Sequence, residues 1–238
     1  MAIYMWRELA PITTAWIYHS PEQWLISLSS DWTNWITIAD KNLWATVVYN
    51  QGDTKSEANC GKYYQWWNNY GFYSWMSFNW NQVDASNYWP WNYYNDSTYR
   101  RVNNWENSGN LNLWWDTTDT VSARQGPCDS WFHVPGRTEM NNFKDIAETL
   151  RNWWNYLDFY CWLLHIPLAW YKDIYWTTQT SGSYWWYWSS TRWWMFSFYI
   201  SGANVSSSVE ISYWLPIRPF ANTPVQPDET RTVLYPTS

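Results

Sequence analysis

Residues 125–152, QGPCDSWFHVPGRTEMNNFKDIAETLRN, hold the clearest structural signal in the chain. From Thr138 onward Met140, Phe143, Ile146, Ala147 and Leu150 recur at helical spacing, so the segment to about Asn152 reads as an amphipathic helix. Pro135 and Gly136 mark its start, and Glu139 sits in the first turn, where the helix dipole favours a negative charge. Upstream, residues 36–50 (ITIADKNLWATVVYN) combine β-branched residues with short alternation and read as two strands joined near Asp40 to Asn42. Residues 61–72 (GKYYQWWNNYGF) read as a short strand entering a loop. From Tyr73 to about Asp119 the chain is Asn, Ser, Tyr and Trp with little periodicity, a long irregular insertion. After the helix, Leu163 to Ala169, Tyr184 to Ser189, Met195 to Ile200 and Val209 to Ile217 are strand-like, with turn residues between them. The pattern predicts a single α+β domain: antiparallel strands, one main amphipathic helix and long irregular loops.

The chain has 238 residues, enough for a sizeable core, and carries 14 Lys plus Arg against 20 Asp plus Glu. A net charge of -6 argues against a nucleic-acid partner, because neutralising phosphates takes clustered Lys and Arg. No run of 18 apolar residues is present, so no transmembrane helix is expected. Arg7 and Glu8 interrupt the first ten residues, and no signal peptide is visible there.

Tryptophan and glycine are both out of proportion. The sequence holds 27 Trp and 8 Gly, where ordinary usage of about 7% glycine would give roughly 17. Trp131 follows Cys128, Asp129 and Ser130, and Trp89 and Trp91 flank Pro90, which are settings where glycine is the usual turn residue. Adjacent pairs such as Trp66–Trp67, Trp114–Trp115 and Trp185–Trp186 point to opposite faces in extended backbone, so both members cannot enter one core. Some bacterial lineages read the codon UGA as glycine while a common alternative reads it as tryptophan. Many of these Trp would then stand for Gly; the other reading is a true tryptophan-rich binding surface.

The blocks ITIADKNLWAT (36–46), GKYYQWWNNYGF (61–72), QGPCDSWFHVPGRTEMNNF (125–143), IPLAWY (166–171), YWSST (187–191) and YWLPIRPF (213–220) occur in an order that resembles the Fibrobacter succinogenes major paralogous domain family. That resemblance implies a C-type lectin-like fold, similar also to the formylglycine-generating enzymes, over residues 36–220. Residues 1–35 would be an N-terminal extension or the end of a preceding segment, and residues 221–238 a C-terminal tail. Where the family pattern has glycine, this chain shows Trp44, Trp67, Trp131, Trp170 and Trp214, whereas Trp66 and Trp188 match tryptophan positions.

Of three cysteines, Cys60 and Cys128 lie in family-like blocks, and the resemblance suggests that they pair. Such a bridge would be worth about 4 kcal/mol and would place the domain outside the cytoplasm, secreted or on the cell surface. Cys161, between Tyr160 and Trp162, reads as a small core residue. The three histidines, His19, His133 and His165, show no paired metal-ligand spacing, so no metal site is expected; His133 reads as a structural residue and His165 as a satisfied strand residue. No Gly-x-Ser-x-Gly elbow or phosphate loop appears. The formylglycine-generating enzymes use a cysteine pair near the end of their fold, and here the last cysteine is Cys161, which argues against that oxidase chemistry.

Gln226-Pro227-Asp228 spells a tripeptide that C-type lectins place beside calcium, but it lies beyond the last family-like strand. Asp116 with Asp119, or Asp84 with Asn87, could offer oxygen ligands, so calcium is the one cofactor left open. Two Asn-x-Ser sequons, at Asn95 and Asn204, imply surface loops. The expectation is a non-enzymatic binding module that takes a protein or carbohydrate ligand through the loops between Tyr184 and Tyr213 and the Asn-rich insertion. Its contacts would come from Tyr184, Tyr187, Arg192, Tyr199 and Asn204, with Tyr63, Tyr64, Tyr93 and Tyr94 as further aromatic candidates. The alternative is an enzyme of the formylglycine-generating fold with altered chemistry. Adenine-directed diversification, which scatters Asn, Tyr, Ser and Asp through the last strands of some C-type lectin-like domains, would leave residues of this flavour.

Overall fold

The computed structural model describes residues 4–7, 16–20, 25–29, 31, 33–50, 52–66, 68–73, 114, 124–151, 164–167, 169, 171–172, 178–179, 184–191, 194–199, 202–207 and 213–226. Their elements run β1 (Tyr4–Arg7), β2 (Trp16–Ser20), β3 (Leu25–Ser29), β4 (Trp35–Ala39), α1 (Glu57–Cys60), β5 (Tyr64–Gln65), β6 (Phe132–His133) and α2 (Arg137–Arg151). There follow β7 (Tyr171–Lys172), β8 (Thr178–Gln179), β9 (Tyr184–Trp188), β10 (Trp194–Tyr199), β11 (Gly202–Ser207), β12 (Trp214–Leu215) and β13 (Phe220–Ala221). The fold is α+β, and its described strand pairings are antiparallel. Three sheets have the orders β1-β2-β3-β4-β13-β6, β11-β10-β9 and β5-β12-β7-β8.

Helix α2 forms where the 3.6 period predicts it. Met140, Phe143, Ile146 and Ala147 are buried, and they meet Ile26 and Leu28 of β3, Ile38 of β4, and Phe196, Phe198 and Val205 of β10 and β11 in one core. Phe143 sits edge-on to both Phe196 and Phe220, with centroids 5.6 Å away in each case. Strand β3 lies inside the stretch expected to be an N-terminal extension, yet it pairs with β4 from Leu25↔Ala39 to Ser29↔Trp35 and supplies that core. A second core gathers Tyr64, Trp66, Trp114, Cys128, Val134, Trp188, Met195, Leu215 and Ile217. Its indoles are seated by their N–H groups: Trp66 donates to the Ser189 carbonyl at 3.0 Å, Trp188 to the Tyr64 carbonyl at 2.6 Å and Trp114 to Asn69 Oδ1 at 2.7 Å. A buried indole that keeps a hydrogen bond escapes the desolvation cost of its one donor.

Three sequence expectations are corrected. The second strand within 36–50 does not form: after β4 the chain turns at Asn42 to Ala45 and then runs irregularly, with the Thr46 and Val47 N–H groups both on the Ala58 carbonyl of α1. Asn42 holds that departure, donating from Nδ2 to the Cys60 carbonyl at 3.0 Å. Where residues 163–169 are expected to be a strand, the described residues 164–167 and 169 are irregular, because His165 takes φ 50° and turns its Nδ1 to the Tyr49 carbonyl at 2.9 Å. Buried Arg218 ties this segment to β4, donating to the Ala39 carbonyl at 2.9 Å and the His165 carbonyl at 2.6 Å. The expected Cys60–Cys128 bridge is absent, and both residues are buried free thiols: Cys128 packs among the apolar side chains of the second core, while Cys60 ends α1 with its Sγ 3.4 Å from Asn59 Oδ1. Most of the insertion 73–119, together with Cys161, lies outside the described residues.

A charged clasp joins α2 to the sheet. Glu139 receives Arg124 Nη1, His133 Nε2 at 2.9 Å and the Gly136 N–H at 2.9 Å. His133 Nδ1 faces Asn222 Oδ1 at 2.9 Å, and the Asn222 amide is oriented by its own Nδ2, which donates to the Ser130 carbonyl at 2.7 Å. Both ring nitrogens of His133 are thus engaged, one with Glu139 and one with Asn222. Burial pushes the Glu139 carboxyl up, but the His133 hydrogen bond and charge, the Arg124 charge and the Gly136 N–H outweigh it and hold the group at about 2, against an ordinary 4.5. A carboxyl whose pKa is lowered by folding contributes stability above its unfolded value and loses it as pH falls towards the folded one. The wild-type chain is therefore expected to lose roughly 3 kcal/mol between about pH 5 and pH 2 that a Glu139→Gln variant, already weaker at pH 7, does not lose. Urea midpoints of both chains across that range check it, and parallel curves would refute it.

Candidate functional site

The segment expected to bind forms the β11-β10-β9 sheet. Its register pairs Tyr184 with Tyr199 and Tyr199 with Gly202, then Trp186 with Ser197 and Ser197 with Asn204, then Trp188 with Met195 and Met195 with Ser206. Because side chains alternate across a strand, these nine positions share one face, and Tyr187, Phe196, Phe198 and Val205 share the other. The second face is the one buried against α2.

This parity sorts the expected contact residues. Asn204 falls on the face turned away from α2, while Tyr184 and Tyr199 are described only by their backbone pairing with each other. Tyr187 falls on the buried face: it is 1% exposed, its hydroxyl donates to the Pro167 carbonyl at 2.5 Å, and it is a core residue, not a ligand contact. Asn204 is exposed on β11, and Arg192 lies outside the described residues. Tyr63 and Tyr64 are buried in the body of the protein, and Tyr93 and Tyr94 lie outside the described residues.

Sequence reading missed the aromatic cluster at the centre of this face. The half-buried Trp186 ring stacks on Tyr171 of β7, centroids 4.2 Å apart and planes 19° apart. Tyr213, just before β12, lies nearly parallel to both, 6.3 Å and 6° from Trp186 and 5.7 Å and 22° from Tyr171. The alternation of Trp186 with buried Tyr187 was legible, but the arrival of Tyr171 and Tyr213 from distant parts of the chain was not. Beside the rings, buried Ser197 donates from Oγ to the Asn204 carbonyl at 3.2 Å and braces the edge strand β11. Below them, Trp188 and its bond to Tyr64 anchor β9, and the Trp188 N–H donates to the Pro216 carbonyl at 3.1 Å. Such an arrangement offers flat apolar area, a neighbouring amide and a rigid support, which suit stacking and hydrogen bonding.

Other candidates fare differently. His133 is held in the clasp and His165 in a turn. Among the described residues no three His, Cys, Asp or Glu side chains come together as a metal-ligand group. The acidic pairs Asp116 with Asp119 and Asp84 with Asn87 lie outside the described residues. Gln226 lines an open cleft of roughly 650 Å³ with Asp31, Thr33, Asn34, Asn142 and Asp145, while Pro227 and Asp228 lie outside the described residues. Asp31 is occupied by its own loop, and the backbone N–H and side chain of Asn34 with the Thr33 N–H hold its carboxyl well below the usual range.

No protein-family model matches the chain, and neither a curated protein nor a solved structure does. Among the described residues no helix is long and apolar enough to cross a membrane.

Burial pushes the Cys60 thiol up to about 11 and the Cys128 thiol higher still, so neither is a ready nucleophile in the folded chain. A thiol reagent at pH 8 is expected to leave both unmodified in buffer and to label both in denaturant, and a reducing agent should leave the urea midpoint unchanged. Peptide mapping of the labelled chain checks this, and a Cys60–Cys128 disulfide-linked peptide would contradict it.

Proposed function

We propose that the chain is a non-enzymatic binding module of the Fibrobacter succinogenes major paralogous domain type, secreted or displayed at the cell surface, which takes a carbohydrate or protein ligand on the outer face of the β11-β10-β9 sheet. The observation that carries this reading is the register, which sets half-buried Trp186 and exposed Asn204 on the face opposite α2, beyond the Trp188 and Met195 row that enters the second core. The α+β architecture with antiparallel sheets and one long amphipathic helix is compatible with a C-type lectin-like scaffold. With the bridge absent, the cell-surface location rests on the resemblance alone.

Carbohydrate is the ligand class best served by this face. A sugar ring presents an apolar C–H face to an aromatic plane and hydroxyls to a neighbouring amide, and Trp186, Tyr171 and Asn204 supply those two kinds of contact. Binding of the purified chain to an immobilised glycan panel tests this. Trp186→Ala and Asn204→Lys should each weaken binding tenfold or more, with Asn204→Lys leaving the urea midpoint within error because Asn204 is exposed on an edge strand. A glycan bound equally well by both variants would move the site elsewhere on the molecule.

A further inference from the structure

We propose that position 44 is glycine in the protein as its own cell makes it, the residue written Trp44 arising from a UGA codon that this cell reads as glycine. The turn itself carries the inference. Asn42, Leu43, Trp44 and Ala45 form a four-residue turn closed by the Ala45 N–H on the Asn42 carbonyl at 2.9 Å. Trp44 is its third residue and takes φ 65°, while Leu43 has no positive φ. A turn with positive φ at the third position alone is of type II, which calls for glycine there because a Cβ crowds the backbone in the left-handed region.

The ring gains little in exchange for that strain. Trp44 is 60% exposed, and its contact of note is a cation–π approach from Lys62 Nζ, 4.5 Å from the centroid, which Tyr73 also offers at 4.8 Å. The turn cannot relax elsewhere: the Leu43 N–H donates to the Ile217 carbonyl at 2.9 Å, and a Cβ on Gly61 would lie 2.3 Å from the Leu43 carbonyl oxygen. Gly61 and position 44 are thus two sides of one close backbone contact, and one of them is already glycine.

Position 131 shares the exposure and the place in a turn but not the strain, since its φ is not positive. Trp131 is the third residue of a turn closed by the Phe132 N–H on the Asp129 carbonyl at 2.8 Å, and it is 79% exposed. Trp66, Trp114 and Trp188 differ in kind, since each is buried and its indole N–H is bonded, so these are true tryptophans. Trp214 sides with them: it is buried, and Phe72 meets its ring edge-on at 4.2 Å. Trp67 and Trp170 lie outside the described residues. Misread codons explain both the 27 Trp and the 8 Gly without any demand for an indole at positions 44 and 131.

Two measurements decide the matter. The first is the gene's codons and the masses of the corresponding peptides from the native protein: UGA at codons 44 and 131 with glycine in the peptides, and UGG at 66, 114 and 188, is the expected result. UGG at codon 44, or a native peptide with tryptophan at that position, overturns the proposal. The second uses recombinant chains. Trp44→Gly should raise the folding constant several-fold, the left-handed penalty on a Cβ outweighing the larger unfolded-state entropy of glycine, whereas Trp188→Gly should lower it steeply. A Trp44→Gly chain less stable than its parent would show that the indole belongs in the turn and would overturn the proposal independently. Neither readout depends on ligand binding, so failure here leaves the sheet-face reading standing.

Discussion

One carboxylate holds together parts of the chain that no local propensity would join. Glu139 sits in the first turn of α2, where the dipole favours it, and also accepts from His133 of β6 and from Arg124, which is 3% exposed. Through His133 and Asn222 the same network reaches the end of β13. The His133 backbone pairs with Phe220, whose ring lies against Phe143 on the helix. The helix is therefore located twice over, by an ionic contact at its start and by an apolar stripe along its length. Such a cluster is costly to bury unless each member keeps its partners. Here the carboxylate meets Arg124, His133 and a backbone N–H, and both ring nitrogens of the histidine are engaged.

Between the two cores, β9 and β10 act as a partition. Tyr187 and Phe196 enter the core under α2, while their neighbours Trp188 and Met195 enter the other. Strands buried on both sides have little freedom to shift register, because a slip of one residue would exchange the two sets of side chains. That constraint fixes which residues of the segment enter each core. Along the same face the second core fills the Trp188 row, while in the next row Tyr171 and Tyr213 lean against half-buried Trp186, Ser197 is buried and Asn204 is exposed.

Legibility in the sequence followed the range of the interactions involved. Helix α2 and strands β9 and β10 were readable because their periodicities are local and each has an apolar face to bury. The second strand of 36–50 was misread because β-branched residues such as Val47 and Val48 suggest pairing, and nothing local reveals that Asn42 will donate across to the Cys60 carbonyl and divert the chain. His165 was misread for the same reason, its φ of 50° being set by carbonyl and guanidinium partners far away in sequence. The cysteines showed a different limit. A family-like position gave Cys60 and Cys128 a partner on paper, while burial serves each of them as a small apolar side chain.

The tryptophans join these threads, because burial separates them where composition alone does not. An indole earns its place through ring area and one N–H, and Trp66, Trp114 and Trp188 use both. Trp186 uses its ring area against Tyr171 and Tyr213, so the aromatic character of the sheet face is shared with two tyrosines and does not rest on one indole. Trp44 and Trp131 are the exposed tryptophans among the described residues, both at the third position of a turn. With glycine at those two positions the described residues would lose their two most exposed indoles, while half-buried Trp186 would keep its ring against Tyr171 and Tyr213.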